Sequence, residues 1–174
     1  GKSNSVDARA TKLTFALEHS RRGDRVFPLQ DKGKRPRVER WPELATTDET
    51  QIRAWWTTWP NANIGIVCDP YIVVDCDVKN GGDRSFLELD LTDGWPVTRV
   101  TLTPTGGRHF WFLLPPSSPG VSNSAGKLGA GLDVRGRAGY VVAPGSRTTK
   151  GTYEWVNSGT PIAPAPDWLV QKLG

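Results

Sequence analysis

Read for the spacing of its apolar residues, the chain changes character near residue 63. Before that point hydrophobic positions recur at helical intervals. Val6, Ala10, Leu13, Ala16 and Leu17 fall on one face of a helix spanning residues 6–22, and Gly23 follows as a natural stop. "RVFPL" predicts a short strand, with Pro28 assigning it to an edge or an end. "TTDETQIRAWWTTW" predicts a second helix, opened by a capping box of Thr46 and Glu49 and burying Ile52, Trp55, Trp56 and Trp59. Between them "QDKGKRPRVERWPEL" has no periodicity and carries Lys32, Lys34, Arg35, Arg37 and Arg40, so it reads as a basic loop.

Beyond residue 63 the pattern becomes one of short strands: "NIGIV", "YIVVDCDV", "RVTLT", "RHFWFLL", "LDVRG", "GYVVAP" and "TYEWV". One helix, "DRSFLELDL", interrupts them, and "PAPDWLVQKL" predicts a last one. "PPSSPGVSNSAGKLGAG" is flexible by composition. A helix-led start before a largely antiparallel sheet makes the fold α+β. The expectation is a single domain over 1–174, with a helical and basic part over 1–62 and a strand-rich part over 63–174.

Two acids break this pattern. Asp75 and Asp77 interrupt an apolar strand one residue apart, and desolvating a carboxylate is costly unless it is paired or metal-bound. Alternation puts both on one face, with Val74, Cys76 and Val78 on the other. By the same rule His109 shares a face with Trp111, and Asp133 shares one with Arg135, behind which lie Leu132 and Val134. If these strands are neighbours, three carboxylates, a histidine and an arginine meet on one sheet surface. That surface suits metal-assisted phosphoryl transfer, because Mg²⁺ takes carboxylate oxygens together with substrate phosphates. Each signal also has a plain reading: solvated acids at a strand end, a hydrogen-bonded core histidine, a surface ion pair, and a simple turn at "PTGGRH".

Composition adds bounds. At 37% apolar and 23% charged, the 174 residues suit a globular domain with its own core. A net charge of +4 and a pI of 9.3 permit a polyanionic partner without demanding one. Eight tryptophans supply core or stacking surface. Cys68 and Cys76 lack CxxC spacing, so a cysteine-rich zinc site is not expected, and both read as reduced, buried residues of a cytoplasmic protein. No stretch is long and apolar enough to span a bilayer. Met is absent, even at position 1, and the expectation is an excised or processed fragment.

The ordered set "VVDCDVKNGG", "TLTPTGGRHFWF", "LDVRGRAGYVVAPGS" and "TYEW" resembles the primase–polymerase (prim-pol) family of the archaeo-eukaryotic primase superfamily, found in replication proteins of phages and plasmids. The likeness runs from "VFPLQDKGKRP" to "DWL". It implies a palm resembling an RNA-recognition-motif sheet beside a smaller N-terminal α/β module. It also implies two Mg²⁺ or Mn²⁺ ions on Asp75, Asp77 and Asp133, with no zinc. His109 would contact the incoming triphosphate, after a turn made by Thr105, Gly106 and Gly107, and Arg135 would be a further phosphate contact. Gly107 departs from the serine that the motif favours two places before the histidine.

The implied activity is template-directed nucleotidyl transfer by a DNA primase/polymerase, with single-stranded DNA template, primer and nucleoside triphosphates as partners. A downstream helical-bundle or helicase domain is a further implied partner, and no membrane is. Lys34 and Arg35 are candidate DNA contacts, with a solvated basic surface as the equal alternative, and Trp41 is a candidate for base stacking or packing. Two other classes compete: a catalytically silent single-strand-binding module, and a metal-dependent nuclease.

Overall fold

The computed structural model describes residues 11–174. In chain order the elements are α1 (Lys12–Arg21), β1 (Val26–Asp31), α2 (Trp41–Leu44), α3 (Glu49–Thr58), β2 (Ala62–Val67), β3 (Tyr71–Cys76), α4 (Gly82–Thr92), β4 (Val100–Leu102), β5 (Arg108–Leu113), β6 (Ser124–Ala125), β7 (Leu132–Arg135), β8 (Tyr140–Val142), β9 (Arg147–Thr148), β10 (Gly151–Thr152), β11 (Glu154–Trp155), β12 (Ala163–Pro164) and α5 (Asp167–Leu173). Helices combine with sheets that are antiparallel except where β12 runs parallel to β5, as an α+β reading requires. No helix among the described residues is long and apolar enough to cross a membrane.

The chain forms two compact units. The first comprises residues up to Val67 together with Val142–Tyr153. Thr11 caps α1 by accepting a hydrogen bond from the Thr14 amide, and the helix buries Ala16 and Leu17. Val6 and Ala10, placed on the same face from sequence, lie outside the described residues. In the sheet order β1–β2–β8, Pro28 stands on an edge strand, where its missing N–H breaks no ladder.

The predicted capping box is not formed. Thr46 is tied to Val26 by two backbone hydrogen bonds, so the helix starts later, with Asp48 as its cap. Glu49 turns to Arg21 instead, in a two-pronged pair at 3.0 Å. α3 buries Ile52, Trp55 and Trp56, while Trp59 stays half-buried with the Arg37 guanidinium over its ring. The "WPEL" end of the basic loop is itself a helical turn, α2.

The second unit spans Cys68–Val141 and Glu154–Gly174. Its seven-stranded sheet runs β11–β4–β5–β3–β7–β6, with β12 alongside β5. One face carries Ile72, Val74, Cys76, Phe112, Leu132 and Val134, packed against Leu169 and Leu173 of α5 and Phe86 and Leu89 of α4. Each such large side chain contributes about 1.5–3 kcal/mol when fully buried. Phe86 stacks on Trp95 at 4.4 Å and on Phe110 at 4.2 Å, which seats α4 on the sheet. The stretch expected to be flexible contributes to this core: Val121 and Leu128 are buried, and β6 pairs with β7. Glycine and serine density marked its turns and hid these two anchors.

Candidate active site

β3 lies between β5 and β7, and register assembles the site on the face opposite the α4–α5 core. Asp75 stands across from His109 on one side and from Asp133 on the other. Residues in register on adjacent strands point the same way, so the three side chains form one row. The row continues to Thr101, opposite His109, and to Ala125, opposite Asp133. Arg135 is one step along on the same face, opposite Val73. The strands bearing the predicted acids, histidine and arginine are therefore neighbours.

Burial differs sharply along the row. The His109 side chain is only 8% exposed and that of Asp75 is 34% exposed, with Nε2 3.7 Å from Oδ1. That spacing is in ion-pair range and longer than a hydrogen bond. Asp75 and Asp133 are directly opposed like charges, an arrangement that destabilises a sheet unless something offsets it. The carboxylate field reaches through β3. The Cys76 thiol is pushed up to about 11 by its burial and then by Asp83 and Asp75, against the opposing pull of Arg108. Cys68, more deeply buried, is pushed up to about 12. Both cysteines are free thiols.

Asp77 departs from the sequence expectation. The strand ends at Cys76, and Asp77 instead caps a 3₁₀ turn over Val78–Asn80. Its Oδ1 accepts from the Lys79 amide at 3.1 Å, and its Oδ2 accepts from Asn80 Nδ2 at 2.5 Å. An aspartate followed two residues on by an available amide forms this local turn readily, and here the turn ends the strand. The Asp77 backbone still donates to Gly131 O at 2.8 Å, so its main chain stays tied to the β7 side of the sheet.

Glycines surround this step. A Cβ on Gly107 would sit 2.6 Å from the Cys76 carbonyl oxygen, so the backbone itself excludes a serine there. Gly131, at φ 73°, packs so tightly on Gly82 that a Cβ would lie 2.3 Å from the Gly82 nitrogen. Thr105 and Gly106 are exposed at the tip of the β4–β5 hairpin, and Gly106 takes φ 85°. Arg108 braces that tip by donating from Nη1 to the Gly106 and Gly107 carbonyls at 3.1 and 3.2 Å. Sequence reasoning missed Thr101, Arg108, Gly82 and Gly131. Only Thr101 had a usable signal, since a tight β4–β5 hairpin places it across from His109.

Lys34, Arg35 and Trp41 belong to the other unit. Both cations are exposed on a turn after β1. Trp41 stacks on Phe27 at 5.1 Å, which makes packing its observed use.

Among the described residues no three His, Cys, Asp or Glu side chains converge as a ready metal cage. The donor chemistry nevertheless fits a hard divalent cation. Asp75 and Asp133 offer only oxygens, from positions whose Cβ atoms stand about 4.5–5.5 Å apart in such pairs. A cation there would also relieve their mutual repulsion.

A family model described as "Bifunctional DNA primase/polymerase, N-terminal" matches residues 16–168. The chain belongs to the Prim-Pol family. The matched span holds the whole Asp75 row, the glycine turn and Arg135. Membership ties this Prim-Pol chain to DNA primase and polymerase chemistry in replication, and to DNA and nucleotides as substrates. No curated protein matches the chain.

Proposed function

We propose that this Prim-Pol chain is the catalytic domain of a phage or plasmid replication protein and performs template-directed nucleotidyl transfer from nucleoside triphosphates. In this reading the sheet bearing β3, β5 and β7 is the palm of an archaeo-eukaryotic primase core, related to the RNA-recognition-motif sheet. The observation that carries the reading is the register of Asp75 between His109 and Asp133, within a chain matched as primase/polymerase over nearly its whole length.

Asp75, Asp133 and Asp77 are the residues that would hold two Mg²⁺ or Mn²⁺ ions. Such ions, when bound, lower the pKa of the primer 3′-hydroxyl and neutralise the triphosphate and the leaving pyrophosphate. The protein's own contribution is positioning. His109 and Arg135 donate hydrogen bonds to triphosphate oxygens from the same face as the acids, and arginine suits a two-pronged grip. The Gly106–Gly107 turn lets a phosphate approach the backbone without side-chain obstruction. The primer 3′-oxygen then forms a bond to the α-phosphorus as the bond to pyrophosphate breaks, and the hydroxyl proton leaves to solvent.

The test incubates the domain with single-stranded template, labelled nucleotides and Mg²⁺ or Mn²⁺, with and without primer. Metal-dependent extension that disappears in a folded Asp75→Asn, Asp133→Asn variant supports the reading. Retained extension in that variant refutes the role of the row. Template degradation would instead indicate a nuclease, and binding without either reaction would indicate a single-strand-binding module.

A further inference from the structure

The first unit carries a cationic surface of its own, built around one buried amide. Asn63, on β2, is fully buried and makes three hydrogen bonds to backbone. Its Nδ2 donates to Gly33 O and to Arg147 O, both at 2.8 Å, and its Oδ1 accepts from Arg147 N at 3.0 Å. These bonds clamp two turns together. One follows β1 and is closed by Gln30 N donating to Arg35 O at 2.8 Å and Gly33 N donating to Gln30 O at 3.1 Å. The other is the β9–β10 hairpin.

Exposed on these turns are Lys32, Lys34, Arg35, Arg147 and Lys150. Lys32 is held at φ 54°, a conformation lysine rarely adopts and one that persists only where the surroundings enforce it. Lys12 on α1 joins the group: burial, and then the Arg147 charge, lower its pKa. Asp31, the acid within the first turn, is engaged by Arg37 at 2.8 Å. Holding like charges on pinned turns raises their mutual repulsion, which a polyanion would reverse. The turns present glycine, threonine and basic side chains and no large apolar residue, so a bilayer surface would find little to bury. Phosphate oxygens are met by such groups.

We propose that the two Asn63-clamped turns bind the phosphate backbone of single-stranded DNA. The choice of DNA among polyanions rests on the nucleotidyl-transfer reading above.

The test measures fluorescence anisotropy of a labelled oligo-dT across a salt series, for the wild type and for Lys34→Ala, Arg35→Ala, Arg147→Ala combined. Each single-strand phosphate contact contributes a slope of about 0.7 in log affinity against log salt. Three lost contacts should flatten the slope by about 2 and weaken binding at low salt by roughly 10–100-fold. Should the triple variant fail to melt cooperatively, the single variants take its place, each expected to lose about 0.7 of slope. Wild-type affinity and slope in folded variants would overturn the proposal. Binding of phosphatidylglycerol vesicles without binding of oligo-dT would do so too, as would displacement of the oligonucleotide by free nucleoside triphosphate at these turns. A wild-type protein that binds oligo-dT through these residues but extends no primer supports the surface and fails only the transfer reading.

Discussion

His19 makes the stability of the first unit depend on pH in a window that few other groups share. Its ring is fully buried. Nδ1 faces an Arg22 guanidinium nitrogen at 2.6 Å, and Nε2 faces the Pro144 carbonyl at 2.8 Å. Guanidinium can only donate and a carbonyl can only accept, so the neutral ring with hydrogen on Nε2 satisfies both contacts. A second proton would have to go onto Nδ1, against a cation that Asp24 holds in place at 3.1 Å. Burial first, and Arg22 second, accordingly lower the His19 pKa to about 3.

The unfolded chain protonates this ring near pH 6.5, so between pH 6.5 and about 3 the unfolded state binds the extra proton. Stability from this group is therefore complete above pH 6.5 and is lost as pH falls. At about 1.36 kcal/mol per pH unit, going from pH 8 to pH 5 removes about 2 kcal/mol. For a chain of this size that is a Tm decrease of roughly 4–8 °C. The assay is a thermal melt at pH 8 and pH 5 for the wild type, His19→Gln and His109→Gln, the last controlling for the other histidine. Glutamine keeps a donor and an acceptor without a titrating proton, so His19→Gln should lose most of the Tm decrease. Taking the difference between wild type and His19→Gln at each pH cancels the groups common to both. A folded His19→Gln protein with the full wild-type decrease would refute the reasoning.

Gly107→Ser, the residue the family motif favours, should cost about 1–3 kcal/mol in urea unfolding, because its Cβ meets the Cys76 carbonyl. His109→Ala should raise the nucleotide KM in primer extension more than it lowers kcat, and unchanged values of both would remove it from the site. Asp77→Asn keeps an acceptor for the Lys79 amide and should retain stability while losing metal-dependent extension. Asp77→Ala removes the cap as well and should cost about 1 kcal/mol in addition, so equal stability of the two variants would argue against the cap.

The facing of the candidate residues was legible because strands alternate. Given "YIVVDCDV", "RHFWFLL" and "LDVRG", the face of each polar residue followed from the period of two, and the observed register of Asp75 with His109 and Asp133 agrees with it. What alternation cannot supply is strand order, which depends on long-range pairing, or the point where a strand stops. Asp77 continued the period in sequence, yet its carboxylate had a nearer partner in the Lys79 amide, and local bonding ended the strand. The same competition displaced the α3 cap from Thr46 to Asp48, since Thr46 was already committed to Val26. The return of Val142–Tyr153 to the first unit left no compositional trace, because its own backbone makes the anchoring bonds, to the His19 and Asn63 side chains and the Ile64 carbonyl.

The glycines explain why the site could not have been graded from its acids alone. A carboxylate pair across two strands repels, and a sheet normally separates such charges or removes one. Here the step beside the pair is bounded by Gly107 and Gly131, positions where the backbone leaves no room for a Cβ. A side chain there would press on the Cys76 and Asp77 main chain, where β3 ends next to Asp75. Strand register keeps the acids adjacent, with His109 Nε2 3.7 Å from Asp75 on the other side. An oxygen-only carboxylate pair held this way suits the metal-bound nucleoside triphosphate proposed as its substrate.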